Sequence, residues 1–242
     1  MRRKPEPPKY HGLARIISKR GLASRAQAAE LIRAGKVKVD GYVIRDPEHP
    51  TDNARALIDV ATIKESDAVK VYLMLNKPNG VVTTRVDEKG RPTVYSLLEG
   101  VKGWVAPVGR LDMASEGLLF LTNDTEWANR ICEPKTKCEK TYHVRVNCIP
   151  AVDVLTKMRT GIVDPQLGEL KFAKVSILRE GEKNCWLEVT LDEGKNRQIR
   201  RVLEAFNIAV MRLVRVQIGS VRLGELPKGS WRAMTKKEYG SF

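Results

Sequence analysis

The chain has 242 residues, with 43 Lys and Arg against 29 Asp and Glu, for a formal net charge of +14. Such an excess points to a polyanionic partner. No stretch approaches the 18 or so apolar residues of a membrane span, and Arg2-Arg3-Lys4-Pro5 carries no apolar signal core, so a protein of the cytoplasm with no membrane partner is expected.

Cys132, Cys138, Cys148 and Cys185 show neither CxxC spacing nor a compact framework, and His11, His49 and His143 are scattered. Neither a disulfide scaffold nor a metal site is expected from them, and no cofactor is called for. The charge is spread, +6 over residues 1–60 and +8 beyond. That suits one extended nucleic-acid footprint better than a single basic tail. No internal repeat is present.

Residues 1–10 are rich in Pro, Lys and Arg and read as a basic flexible N-terminus. Ser24 followed by Gln27 is a capping box for a helix running to about Ala34. Ala28, Leu31 and Ile32 give it an apolar stripe, and Gly35 suits its C-cap. Lys36 to Val39, Asp40-Gly41 and Tyr42 to Ile44 then read as a hairpin with a two-residue turn. Arg25, Arg33, Lys36 and Lys38 line the polar side of this unit, where they can meet phosphates. Gly21-Leu22-Ala23-Ser24-Arg25, Ala29-Glu30-Leu31-Ile32 and Gly35 to Gly41 resemble the S4-like RNA-binding domain, over residues 11–58. The mixed polar segment 59–68 reads as a linker, leaving 69–242 for a larger domain.

In that larger domain Val69 to Leu75 is strand-like, Asn76 to Gly80 is a turn, and Val81 to Thr84 is β-branched. Val108 to Asp124 is the most informative stretch. Asp112 follows Gly109 and Arg110 on a tight loop, and Gly117 opens the apolar run Leu118 to Leu121, which fits a buried strand. A carboxylate on a short loop that feeds a rigid element is well placed for catalysis. Strand signals return at 141–146, 185–191 and 210–221, alternating with helical candidates at 126–131, 151–158 and 196–206. The expected class is α+β: a small N-terminal α/β domain, then a larger domain with a mainly antiparallel mixed sheet flanked by helices.

The helix near Asn196 carries Ile199, Val202, Leu203 and Phe206 on one face, with Arg197 and Arg201 roughly opposite and Arg200 at the edge. An edge arginine can lay its stem on the core and aim its guanidinium at a partly buried carboxylate, for which Asp112 is the candidate, keeping that acid ionised. Lys140 and Tyr142 share a strand face, and a tyrosine beside a cation is a platform for an unstacked base. Lys77, Arg85, Arg91 and Lys195, near turns, are further candidates to reach phosphates.

Five blocks carry a resemblance over nearly the whole chain: Asn76 to Gly80, Gly109 to Asp112 with Ser115 and Gly117, Glu139 to Tyr142, Glu193 to Arg201, and Leu226 to Arg232. Together, behind the S4-like segment, they resemble the S4-containing pseudouridine synthases of the RsuA/RluB type, isomerases that act on ribosomal RNA. The resemblance implies that Asp112 is the catalytic aspartate, Tyr142 stacks on a flipped-out uracil, and Arg200 pairs with Asp112. Ile199 would pack on the other side of the base, Arg110 would hold the flipped geometry, and Lys140 would support the site. Lys195, Arg197 and Arg201 would join the RNA contacts.

The implied reaction breaks the bond from ribose C1′ to uracil N1, rotates the base and joins C1′ to C5, with no cofactor. An aspartate serves by attack on C1′ or C6, or by removing the ribose 2′ proton. The implied substrate is a structured stem-loop of ribosomal RNA, 23S in preference to 16S, met by a monomer. The alternatives are a non-catalytic RNA-binding or ribosome-assembly factor, and a synthase acting on transfer RNA. Thr125 departs from the glycine usual in the family after Asn-Asp.

Overall fold

The computed structural model describes residues 10–61 and 69–242; the rest of the basic N-terminus and residues 62–68 of the expected linker lie outside the described residues. The chain forms two compact units. The first gathers the described residues through Tyr72 with Lys102–Ala106 and Thr122–Ala128, and the second holds Leu73–Val101, Pro107–Leu121 and Asn129–Phe242.

The first unit contains β1 (Tyr10–Gly12), α1 (Leu13–Lys19), α2 (Arg25–Arg33), β2 (Val37–Val39), β3 (Tyr42–Val43), β4 (Pro50–Asp52) and β5 (Ile58–Val60). Helix α2 starts where the sequence places it. The Ser24 hydroxyl accepts from the Gln27 amide while the Gln27 side chain accepts from the Ser24 amide. Gly35 then turns the chain in the left-handed region (φ +70°). The β2–β3 hairpin turns through Asp40 (φ 51°) and Gly41 (φ 89°), as a primed two-residue turn requires. The Asp40 carboxylate also accepts from the Leu57 amide, which ties this turn to the approach of β5. Leu13, Ile16, Ile17, Ala28, Ile32 and Val37 are buried together as this unit's core.

After β6 (Tyr72–Lys77) and β7 (Ala106–Pro107), the order is β8 (Glu116–Thr122), α3 (Thr125–Cys132), β9 (Lys140–Val146) and α4 (Val152–Thr160). The hairpin β10 (Ile162–Asp164) and β11 (Gly168–Leu170) leads to β12 (Lys174–Glu180), β13 (Cys185–Leu191) and α5 (Gln198–Ala205). The chain closes with β14 (Val210–Ile218), β15 (Val221–Arg222), β16 (Trp231–Ala233) and α6 (Lys236–Tyr239). Among the described residues the main sheet is nine-stranded, ordered β12-β13-β9-β14-β8-β6-β16, with β15 on β14 and β7 on β8. The β12, β13, β9 and β14 pairs are antiparallel and β14–β8 is parallel, so the sheet is mixed and the α+β class stands. Thr125, the departure from the family pattern, is the first residue of α3, and Asp124 before it accepts the Glu126 and Trp127 amides.

Val144, Val146, Leu187 and Val189 on one sheet face pack under Ile199, Val202 and Leu203 of α5 and Leu155 and Met158 of α4. The parallel pairing brings Gly117 against Arg215. Gly117 has φ +101°, and a Cβ there would collide with the Arg215 carbonyl oxygen. A glycine is therefore required where the Asp112 loop enters β8.

Candidate active site

The loop from Val108 to Ser115 is held by its backbone. Thr83 Oγ1 donates to the Leu111 carbonyl (2.7 Å), the Ser115 amide to that of Asp112 (3.0 Å), and the Gly80 amide to that of Met113 (2.9 Å). The Arg200 guanidinium donates to the Ala114 carbonyl (3.1 Å), and Lys77 Nζ to that of Ser115 (2.7 Å). Five consecutive carbonyls, 111 to 115, thus have donors. Among the described residues the Asp112 carboxylate itself has no hydrogen bond and no ion pair within 4.0 Å.

Asp112 lies on the wall of a cavity of about 480 Å³, which also takes in Arg110, Lys140, Tyr142, Lys195, Arg197, Ile199, Arg200 and Arg215. Every residue expected at the chemical centre therefore meets in one place. Tyr142, half-buried on β9, is in register with Arg215 of β14 on one side and Val189 of β13 on the other. Ile199 is buried in the first turn of α5. Arg197 starts that helix in the left-handed region (φ 52°) and is exposed, as is Arg110. Lys140 Nζ reaches the Ile131 carbonyl (3.4 Å), and burial lowers its pKa from the usual lysine value. Lys195 is anchored on the Glu169 carbonyl (2.6 Å) at the cavity edge.

Three expectations need correction. Lys77 does not reach phosphate. It is completely buried and spends its ammonium on the carbonyls of Pro78, Met113 and Ser115. Burial pulls its pKa down to about 8, opposed by the charges of Asp112 and Glu116 and aided by that of Arg215. Arg201 lies outside the cavity lining, pairing with Asp164 (2.9 Å) and the Gln166 side chain (3.0 Å), so it ties α5 to the β10–β11 hairpin. Arg200 does not form the expected ion pair with Asp112. It holds Ala114, two residues along, and acts on Asp112 through space. Its Nε is buried without a partner, and burial with the neighbouring Arg197 charge lowers its pKa.

The other phosphate candidates differ. Arg91 clamps Asp87 (2.6 Å) and Arg85 lies 5.9 Å over the Tyr95 ring. In the first unit Arg25, Arg33, Lys36 and Lys38 are all exposed, and none has an ion pair among the described residues. The sequence reading missed Arg215. Its Nε donates to the Leu118 carbonyl (2.7 Å), and one terminal nitrogen is buried with no partner beside the cavity. The signal was present: Arg215 shares the inward face of β14 with Leu213, where a charged residue needs a reason.

No group of three or more His, Cys, Asp or Glu among the described residues could hold a metal, and no described helix is long and apolar enough to cross a membrane.

The chain resembles known proteins over nearly its whole length. Residues 71–205 match the family of RNA pseudouridylate synthases, and residues 12–51 match the S4 domain. The chain is 36% identical over 230 residues to ribosomal large subunit pseudouridine synthase B of Bacillus subtilis, covering 93% of each. It is 38% identical over 233 residues to the protein of the same name from Yersinia pestis, covering 93% of this chain and 73% of that one. Among solved structures, the crystal structure of a pseudouridylate synthase superposes with a TM-score of 0.68 at 28% identity, covering 96% of this chain and 99% of that one.

Proposed function

The chain belongs to the RNA pseudouridylate synthases, and from that premise we propose that it isomerises one uridine of large-subunit ribosomal RNA, with Asp112 as catalyst. One observation carries the role of Asp112: a carboxylate left unpaired on a loop whose carbonyls from 111 to 115 all have donors, in a cavity whose wall carries Arg110, Lys140, Lys195, Arg197, Arg200 and Arg215 against the acids Asp192 and Glu193. A merely structural acid in so basic a setting would be expected to take a cation.

The surroundings suit base flipping. A uracil leaving its helix costs a few kcal/mol, and stacking on Tyr142 returns about 1–3 kcal/mol. Ile199 offers the base an apolar second wall, while Arg110 at the mouth takes up the flipped geometry. The unpartnered Nε of Arg200 and terminal nitrogen of Arg215 are donors awaiting acceptors, which a uracil carbonyl or ribose oxygen supplies. Isomerisation loses no group and needs no oxidant: the C1′–N1 bond breaks, C1′–C5 forms, and the C5 proton leaves as N1 gains one, with Asp112 serving by attack on C1′ or C6 or by taking the 2′ proton. Both routes need the carboxylate ionised and free.

Residues 11–58 capture the RNA, a structured stem-loop met by a monomer, through the exposed Arg25, Arg33, Lys36 and Lys38; residues 69–242 do the chemistry with Lys195 and Arg197 at the rim. The test is Asp112→Asn, assayed for pseudouridine in large-subunit RNA. Conversion should fall by about a thousandfold or more while RNA affinity stays within about threefold, because a transition-state group is removed and not a binding one. Normal conversion by that variant would remove Asp112 from the role.

A further inference from the structure

A second cavity, of about 390 Å³, lies beside the first and shares Arg110, Leu111 and Asp112 with it. Its other wall is the segment from Val82 to Arg91, with Met113. At that volume it is within the roughly 300–1,000 Å³ range of small-ligand pockets.

Its walls are built firmly. The Val82 amide donates to the Pro92 carbonyl and the Val94 amide to that of Val82, closing the segment at its base. The Asp87 carboxylate takes both Nε and a terminal nitrogen of Arg91, with the Lys89 and Arg91 amides, closing the tip. Thr83 and Gly80 bind the segment to the Asp112 loop through the carbonyls of Leu111 and Met113.

Inside this frame the remaining groups are unspent. Val86 (76% exposed) and Met113 (42%) present apolar surface on the cavity wall. The Glu88 carboxylate and the Lys89 ammonium have no hydrogen bond or ion pair among the described residues. A mostly polar cleft with apolar surface at Val86 and Met113, a free cation and a free carboxylate matches a nucleotide: base against Val86 and Met113, phosphate toward Lys89. A carboxylate only accepts hydrogen bonds, so Glu88 favours a base that carries an exocyclic amino group over uracil, whose single N3–H is flanked by two carbonyl oxygens that a carboxylate repels.

We propose that this second cavity is a subsite for the nucleotide adjoining the target uridine, selective through Glu88 for an amino-bearing base. It rests on the reading of the Asp112 cavity as the uridine site. The shared wall gives the reason for adjacency: a strand whose uridine enters the first cavity beside Asp112 carries its neighbour across Arg110 to Met113 into the second.

The experiment uses the full chain and synthetic stem-loops containing the uridine it converts. The 5′ or 3′ neighbour is made abasic or set to each of the four bases, and single-turnover conversion is measured. Removing the base on one side should slow conversion about tenfold, the cost expected for losing one well-made base contact. Adenine, cytosine or guanine should outrun uracil there, and Glu88→Gln should narrow that preference, since an amide can also donate. Glu88 is exposed and unbonded, so the variant folds. Rates within about twofold for every replacement on both sides, or a preference unaltered by Glu88→Gln, would overturn the subsite. If the wild-type chain converts no ribosomal uridine at all, the uridine reading itself has failed, which is a different result from a converted but neighbour-blind substrate.

Discussion

Asp112 and Glu116 are two carboxylates four residues apart on one segment, and the fold treats them oppositely. Glu116 is buried at the start of β8 and takes Arg212 through both oxygens (2.8 and 3.0 Å) and Lys228 (2.6 Å). Asp112 is half-buried and takes none, although Arg200, Lys77 and Arg110 are close at hand. The cations near Asp112 are occupied elsewhere, Lys77 and Arg200 with carbonyls of the same loop. Position is fixed through the backbone and the side chain is left free, as the proposed catalytic role requires. A structural acid gives the converse arrangement, with its charge spent on fixing itself.

Neutralising each acid in turn separates the two roles. Asp112→Asn should cost activity and not stability, for the carboxylate holds nothing. Glu116→Gln should do the reverse by stranding Arg212 and Lys228. Both partners are partly exposed, so the loss is about 2 kcal/mol, less than for a fully buried pair. In a chain of this size that is a fall of about 4–8 °C in Tm. Burial alone would raise the Glu116 pKa, but hydrogen bonds from Arg212 and Lys228 hold it below the usual 4.5. Its stabilisation is complete above pH 4.5 and is lost as pH falls through the lower folded value. The Tm gap between wild type and Glu116→Gln should therefore close in acid. A gap that stays constant would mean the ion pairs are not its origin.

A finer test lies between the two acids, at Lys77. Its pKa falls on folding from 10.5 to about 8, chiefly through burial. A cation disfavoured by folding costs stability while protonated. That cost is full below pH 8 and lifts between 8 and 10.5, so the Lys77 contribution to stability rises with pH across this window. Activity should move the other way. Deprotonation removes a positive charge beside Asp112 and weakens the hold on the Ser115 carbonyl, giving kcat an alkaline limb near pH 8. Lys77→Met should lose that limb and run about tenfold slower at pH 7, the size expected when an active-site loop is left loosely placed. An unchanged limb in the variant would assign it to another group.

Much of this was legible in local pattern. The Ser24–Gln27 box, the Asp40-Gly41 turn and the apolar face of α5 each depend on residues a few positions apart, and each is where the sequence puts it. The candidate site was legible as a cluster, because the loop acid, strand tyrosine and helix arginine meet in one cavity. What escaped depends on distant partners. Strand β16 is three residues long and exists because it pairs with β6, about 160 positions earlier. Strand β12 hides its alternation behind a register shift between Ile177 and Arg179 that leaves Leu178 outside. The role of Lys77 could not be read from a turn-like Asn-Lys-Pro, since its acceptors at 113 and 115 belong to another segment. Arg200 was aimed correctly at the loop, but one residue type cannot tell a carboxylate from a carbonyl two positions on.

The same distinction between a spent and an unspent charge separates Arg201 from the cations of the first unit, and here the expected effect is smallest. Arg201 reads in the sequence as one more basic residue for RNA, yet its guanidinium is divided between Asp164 and Gln166. Arg201→Gln should therefore leave the salt dependence of RNA binding unaltered and shift Tm by no more than a few degrees. Lys38→Gln, which removes an exposed cation with no ion pair, should reduce the slope of log K against log salt by about one, as expected for one lost phosphate contact. If Arg201→Gln changes that slope as much as Lys38→Gln does, the ion pair with Asp164 opens when RNA arrives. Basic residues on this chain would then have to be sorted by what they do in the complex, and not by the partners they hold without it.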